Sequence, residues 1–177
     1  MSRTVMFAAP ASGKMVPIAE FHNFWGSAAY VWTNLSRKYY NSDSYWMTHG
    51  RVGGEGFWKL LKDPRLSRTE LLVFRATCDR VACERKRFRE LAELFRDFVR
   101  LFPPEDRACS LLRQASILDW LAGDNHGLGW QPEWVGWQQT TLAENLWWIR
   151  GKDDEEGRPY EFGRDEPPYG IFCEDDE

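Results

Sequence analysis

Apolar residues in the first quarter of the chain repeat with the period of a helix. Seven of them, from Ile18 to Tyr39, follow one another at alternating spacings of three and four residues. Such spacing lays an apolar stripe along one side of an α-helix. Pro17 suits the first turn of a helix, because the N–H that it lacks has no intrahelical partner there. The pattern therefore predicts a helix over about 17–40.

Two further stretches carry helical patterns. Apolar residues between Phe88 and Phe102 step by three and four, and a Pro-Pro pair follows them. A second apolar series lies within 108–122, and Gly123 is placed to cap it in the left-handed conformation. The sequence thus predicts two consecutive helices, at 86–102 and 108–122.

Other stretches have the composition of strands or loops. Residues 4–9 and 134–141 are β-prone, and the run 71–78 is apolar on both faces, which is typical of a central strand. A short strand at 81–84 is expected to form a hairpin with 71–78. The remaining predicted elements are one helical turn at 57–62, short strands at 146–150 and 169–173, and loop or disorder over 151–168.

This order of elements predicts an α+β fold, with about three helices packed on one face of a small mixed or antiparallel sheet. The chain has 177 residues and a mass of 20.8 kDa, which is the size of one ordinary domain. We expect a single globular domain over 1–150 and an acidic C-terminal extension over 151–177 that is partly loop or disordered.

Charge is divided unevenly along the chain. Residues 1–100 carry 17 basic and 10 acidic residues, whereas 151–177 carries 3 basic and 11 acidic ones. The ten Lys and Arg side chains of 65–100 alternate with carboxylates, which is typical of a solvated surface rather than of a nucleic-acid site. We therefore expect no direct contact with nucleic acid. The acidic extension is expected either to meet a basic surface on a partner or to fold back on 65–100.

Location follows from two absences in the sequence. No apolar run approaches the roughly 18–20 residues that cross a bilayer, and the first residues do not resemble a secretory signal. The four cysteines are then expected to be reduced thiols, since a chain of this length has a core without disulfides. The prediction is a cytoplasmic protein that contacts no membrane.

The sequence contains no complete catalytic or cofactor motif. The segment that ends in Gly13-Lys14 lacks the first glycine and the final hydroxyl residue of a phosphate-binding loop. Cysteines and histidines are not paired at metal-ligand spacings. We expect no cofactor and no metal. His49 and Arg51, at the mouth of a glycine-rich loop at 45–56, are the candidate catalytic pair if the protein is a small enzyme.

Tryptophan is the unusual feature of the composition. Ten are present, and five of them lie within nineteen residues: Trp130, Trp134, Trp137, Trp147 and Trp148. If 134–141 is a strand, Trp134 and Trp137 point to opposite faces, and only one face meets the helices. Some indole surface is then left for a partner, although an aromatic-rich core explains the same residues. Indoles are frequent anchors in protein interfaces.

These observations lead to a functional hypothesis. The chain is expected to be a small non-enzymatic interaction or inhibitor protein that binds a protein partner. A basic nucleic-acid-binding protein is one expected partner. The version to test first is an antagonist of a nucleic-acid-handling complex, of the kind that phages and other mobile elements encode. The alternative is the small enzyme with its site at 45–56. The expected binding residues are the five tryptophans named above together with Asp153, Asp154, Glu155 and Glu156.

Overall fold

The computed structural model describes most of the chain up to residue 139 and one short strand beyond it. The described residues are 3–11, 15–22, 24–43, 56–77, 81–104, 110–124, 127–139 and 160–161. Its strands are β1 (Arg3–Ala9), β2 (Val16–His22), β3 (Val81–Glu84), β4 (Trp134–Gln139) and β5 (Tyr160–Glu161). Its α-helices are α1 (Phe24–Tyr40), α2 (Arg68–Ala76), α3 (Phe88–Leu101) and α4 (Ser110–Ala122), with 3₁₀ turns at Gly56–Lys62 and Arg85–Arg87.

The strands form one sheet in the order β2-β1-β4-β3-β5. β2, β1, β4 and β3 pair with one another in antiparallel fashion, and β5 pairs with β3 in parallel. Because β5 comes from the predicted acidic extension, it joins that part of the chain to the edge of the sheet. The fold is α+β, as the sequence predicts.

The main core lies between the sheet and the helices. Met6 and Ala8 of β1 and Val135 and Trp137 of β4 point to this side, where they join buried side chains of all four helices. The other face of the sheet carries a second, small cluster around Ala9 and Ala82. The two faces thus differ in what covers them, and the alternation along each strand decides which side chains reach the helices.

The helix predicted over 17–40 is wrong in its first part. Residues 16–22 form β2, which pairs with β1, and α1 begins only at Phe24. Ile18 and Phe21 fit the helical spacing, yet pairing with β1 gives this segment partners for its backbone along one edge. Pro17 lies on an outer strand, opposite Phe7 and next to a bulge in β2 at Ile18. Edge strands and bulges are the places where a sheet tolerates proline.

The strand predicted over 71–78 is also wrong, because 68–76 is helix α2. Ser67 begins this helix with a capping box: its hydroxyl accepts from the backbone N–H of Glu70, and the Glu70 carboxylate accepts from the N–H of Ser67. The apolar run is buried on several sides of a short helix rather than on two faces of a strand. The strand at 81–84 is confirmed as β3, but its main partner is β4 and not a hairpin with 71–78.

The other predicted elements within the described residues are confirmed. They are the strand at 4–9, the strand at 134–141 as far as Gln139, the helical turn at 57–62, the helix at 86–102, and the helix at 108–122 from Ser110 onwards. Gly123 does not have the left-handed backbone expected of it, and positive φ occurs at Gly127 and Gly129 instead. β5 lies inside the stretch 151–168, for which the sequence predicts loop or disorder. The predicted strands at 146–150 and 169–173 lie outside the described residues.

Candidate functional site

Trp137 belongs to the core. Its side chain is only 6% exposed and packs in the cluster beneath the helices. Its indole Nε1 is buried, and none of the described residues is a hydrogen-bond partner for it. Among the predicted anchors this ring therefore contributes to the interior of the fold, and its surface is not offered to a partner.

Trp134 lies on the opposite face of the sheet, away from the helices. It is half-buried and packs against the small cluster formed by Ala9 and Ala82. In the two ladders of β4, Trp134 stands opposite Ala9 on one side and Glu84 on the other. The sequence reasoning that Trp134 and Trp137 face opposite sides is confirmed, and Trp134 is the one on the side away from the described helices.

The segment leading into β4 is fixed by its backbone. The N–H of Glu133 donates to the carbonyl oxygen of Ala9 at 2.8 Å, and the carbonyl oxygen of Glu133 accepts from the N–H of Arg85, also at 2.8 Å. The Glu133 side chain is exposed. Trp130, three residues earlier, is half-buried and packs against the main core. The backbone of Glu133 is therefore held between Ala9 of β1 and Arg85, which directly follows β3.

Other carboxylates lie close to this segment. Glu84 is opposite Trp134 and forms an ion pair with Lys86. Asp124 is largely exposed, with its Oδ1 3.4 Å from Nη2 of Arg85. We name the set Glu84, Asp124, Trp130, Glu133 and Trp134 the β4-entry surface. It combines indole area with three carboxylates, of which Glu84 and Asp124 are paired with Lys86 and Arg85.

The basic residues of 65–100 are mostly engaged within the chain. Arg68 and Arg87 both reach Glu90, Arg96 reaches Glu93 and Asp119, and Arg100 reaches Glu93 and Asp97. Arg65 pairs with Asp63, and this pairing lowers the pKa of the Asp63 carboxyl to about 2. Local carboxylates thus already neutralise much of the stretch. It offers few unengaged cations to nucleic acid or to the acidic extension.

A buried carboxylate is the most polar feature beneath the surface. Glu70 is 1% exposed, and it accepts from Nζ of Lys38 at 2.7 Å and from the hydroxyl of Tyr39 at 3.0 Å. Burial raises the pKa of Glu70, but the hydrogen bonds from Lys38, Ser67 and Tyr39 outweigh it and hold the pKa below its ordinary value. The group caps α2 and joins it to α1. Its partners are complete, so its role is structural.

Sequence reasoning missed an exposed indole on a helix. Trp120 of α4 is 43% exposed, and Leu112 on the same helix is 40% exposed. Leu101 at the end of α3 is 56% exposed. The apolar pattern of 108–122 contained the signal, because positions 112 and 120 fall outside the stripe that faces the core.

Several candidate residues lie outside the described part of the chain. They are the catalytic pair His49 and Arg51 of the enzyme alternative, and the binding residues Trp147, Trp148, Asp153, Asp154, Glu155 and Glu156.

A metal site and a membrane-spanning helix are both absent from the described ranges. No group of three or more His, Cys, Asp or Glu side chains there is arranged to hold a metal ion. No helix in the same ranges combines the length and the apolar composition that a bilayer crossing needs.

Comparison with known proteins gives no relative: no family model, no curated protein and no solved structure matches the chain.

Proposed function

We propose that the chain is a non-enzymatic protein-binding protein whose docking site is the β4-entry surface, supported by the acidic extension. The observation that carries this proposal is the position of Trp134: a partly exposed indole on the sheet face away from the helices, opposite Glu84 in the β3–β4 ladder. Indoles bury a large area with little loss of side-chain entropy, which is why they serve as anchors.

The rigidity of this surface supports the proposal. Trp134 is part of a central strand. Glu133, the residue before it, is fixed by backbone bonds to Ala9 of β1 and to Arg85, which directly follows β3. A partner that meets these side chains therefore loses little free energy in ordering them. The surface is prepared for docking before the partner arrives.

Charge supports a basic partner. Glu84 of the β4-entry surface lies opposite Trp134, and the extension adds eleven acidic residues against three basic ones. The Arg residues of 65–100 are mostly paired with local carboxylates, which leaves less reason for the extension to fold back on them. A partner with exposed Lys and Arg, such as a nucleic-acid-binding protein, has the complementary surface, and long-range attraction speeds the encounter.

Inhibition follows from the same chemistry. A row of carboxylates on a basic surface competes with phosphate for the same cations, so binding would block a nucleic-acid-handling complex. Such an antagonist fits a phage or other mobile element. The proposed place of action is the cytoplasm, where thiols such as the buried one of Cys83 stay reduced.

The test is capture of a stoichiometric partner from extracts of the source cells, followed by measurement of its affinity for the purified chain. Trp134→Ala should weaken binding about tenfold or more. Trp120→Ala is the matched control, because it removes an exposed indole at a different surface and should leave this affinity unchanged.

The acidic residues are best neutralised in place, since removing 151–177 would also remove β5. The fourfold variant D153N/D154N/E155Q/E156Q should slow association and reduce its dependence on salt, because fewer charges steer the encounter. Partner binding that survives both this variant and Trp134→Ala would reject the proposed site. Loss of binding in Trp120→Ala alone would do the same.

A further inference from the structure

Four residues on one face of α4 are exposed. Leu112, Arg113, Ser116 and Trp120 are exposed, whereas Leu111, Gln114, Ala115, Leu118 and Leu121 are buried. At 3.6 residues per turn, Ser116 lies at the middle of the exposed face, opposite the buried side. This surface is separate from the β4-entry surface and was not among the residues expected to bind.

The side chains around Ser116 are arranged in two unlike flanks. Seen down the helix axis, the residue three positions before Ser116 and the residue four positions after it are both rotated to the same side of Ser116. The rotations are about 60° and 40°. Arg113 and Trp120 therefore fall on one flank of Ser116, at opposite ends. Leu112 and Asp119 fall on the other flank by the same reasoning.

We infer that this face binds a second copy of the chain, with the two α4 helices antiparallel about a twofold axis that passes between their Ser116 residues. The twofold axis reverses the direction of the helix but keeps each flank on the same side. Residues that precede Ser116 in one copy therefore lie beside residues that follow Ser116 on the same flank of the other copy. Arg113 of each copy then lies beside the indole of Trp120 of the other, and the cation and the aromatic face attract each other.

Features of the described face favour this occupant. Ser116 is small, and its hydroxyl donates to the carbonyl oxygen of Leu112 at 3.0 Å, so two helices can approach closely at that point without leaving an unpaired hydroxyl. The Arg113 guanidinium lies 5.3 Å from the centre of the Phe21 ring, which shows that it is already placed against one aromatic ring. A second ring on its other side completes a stack. Asp119 is held by Arg96 and so does not oppose the contact as a free charge.

The dimer is expected to be weak and reversible. A contact made by one helix face from each copy is smaller than the roughly 1,000 Å² that stable interfaces exceed. Exposed cation–aromatic contacts are individually weak, and the symmetric pair has only two of them. The full-length chain should therefore shift from monomer towards dimer only as its concentration rises.

Sedimentation equilibrium of the full chain from about 10 µM to about 1 mM covers the range in which such an interface associates. We expect a concentration-dependent dimer. Trp120→Ala should raise its dissociation constant about tenfold or more, and Arg113→Ala should raise it by a smaller factor. Trp134→Ala, on the β4-entry surface, should leave it unchanged. A monomer throughout, or a dimer that Trp120→Ala does not weaken, overturns the inference.

Cross-linking tests the twofold axis itself. Ser116→Cys places two thiols at the axis and should form an intermolecular disulfide under mild oxidation. Arg89→Cys, exposed on α3, is the matched control, and the wild-type chain gives the background from the native cysteines. Cross-linking of Ser116→Cys that is no faster than in both controls would show that the antiparallel arrangement is wrong.

Discussion

The ammonium group of Lys38 lies 2.7 Å from Oε1 of Glu70, and this bond joins the end of α1 to the first turn of α2. Oε2 of the same carboxylate accepts from the backbone N–H of Ser67 at 2.9 Å and from the Tyr39 hydroxyl at 3.0 Å. The side chain of Glu70 is almost fully buried, whereas that of Lys38 is half exposed. One carboxylate thus caps one helix and holds a second in place.

Acid should weaken the fold through Glu70. Its pKa is lower in the folded chain than in the unfolded one, so its contribution is present above the unfolded value of about 4.3 and is lost as pH falls through the folded pKa. Glu70→Gln should cost about 1–3 kcal/mol of unfolding free energy at pH 7. Urea denaturation at pH 7 and at about pH 3 should show the wild-type and variant stabilities converging in acid. A gap of constant size would mean that the charge of Glu70 is not what stabilises α2.

The Ser67 cap should be measurable by itself. Ser67→Ala removes the acceptor for the N–H of Glu70 and should lower the unfolding free energy by about 1 kcal/mol. Ser116→Ala is the control, because this hydroxyl bonds within α4 on an exposed face and should change stability by less than about 0.5 kcal/mol. Equal effects of the two substitutions would argue against a capping role.

Arg85 closes the end of α4. Its Nη1 donates to the carbonyl oxygen of Leu121 at 2.9 Å, and its Nη2 donates to that of Ala122 at 3.2 Å. Arg85→Lys should cost about 1–2 kcal/mol, because one ammonium cannot reach several carbonyls in the same fork. Hydrogen exchange should accelerate at the last amides of α4. Arg89→Lys on the exposed side of α3 is the control, and its exchange pattern should match that of the wild type.

Two buried tryptophans should respond differently to the same substitution. Nε1 of Trp32 donates to the Thr77 hydroxyl at 3.1 Å, whereas Nε1 of Trp137 has no partner among the described residues. Both changes to Phe remove apolar area, but only Trp32→Phe also breaks a buried hydrogen bond. Urea denaturation should therefore show Trp32→Phe to be more destabilising than Trp137→Phe by about 1 kcal/mol. The reverse order would mean that cavity formation at Trp137 dominates.

The candidate site could be predicted in part. Alternation along 134–139 correctly separated Trp134 from Trp137, because a strand has only two faces. It could not say which indole faces the helices. That depends on the register of β4 between β1 and β3 and on the side where the helices pack. Trp120 lies outside the cluster of tryptophans at 130–148, and its place outside the apolar stripe of α4 is the sequence signal for its exposure.

Local patterns in the sequence determined the elements whose structure depends on short-range physics. The stripe from Phe88 to Phe102 became α3, and the shorter series became α4, since a helix needs only residues three and four apart to form its apolar face. The strands at 4–9 and 134–139 followed from β-prone composition in the same way. The α+β class followed from the order of these elements.

Tertiary structure decided the segments whose pattern fits two structures. Residues 16–22 match a helical spacing, but β1 offers them a ladder of backbone hydrogen bonds. Residues 71–76 are apolar enough for a central strand, but the Ser67–Glu70 cap and the bond from Lys38 favour a helix. In both cases the choice between helix and strand depends on hydrogen-bond partners in other parts of the fold or in a short cap. A run of apolar residues does not by itself indicate those partners.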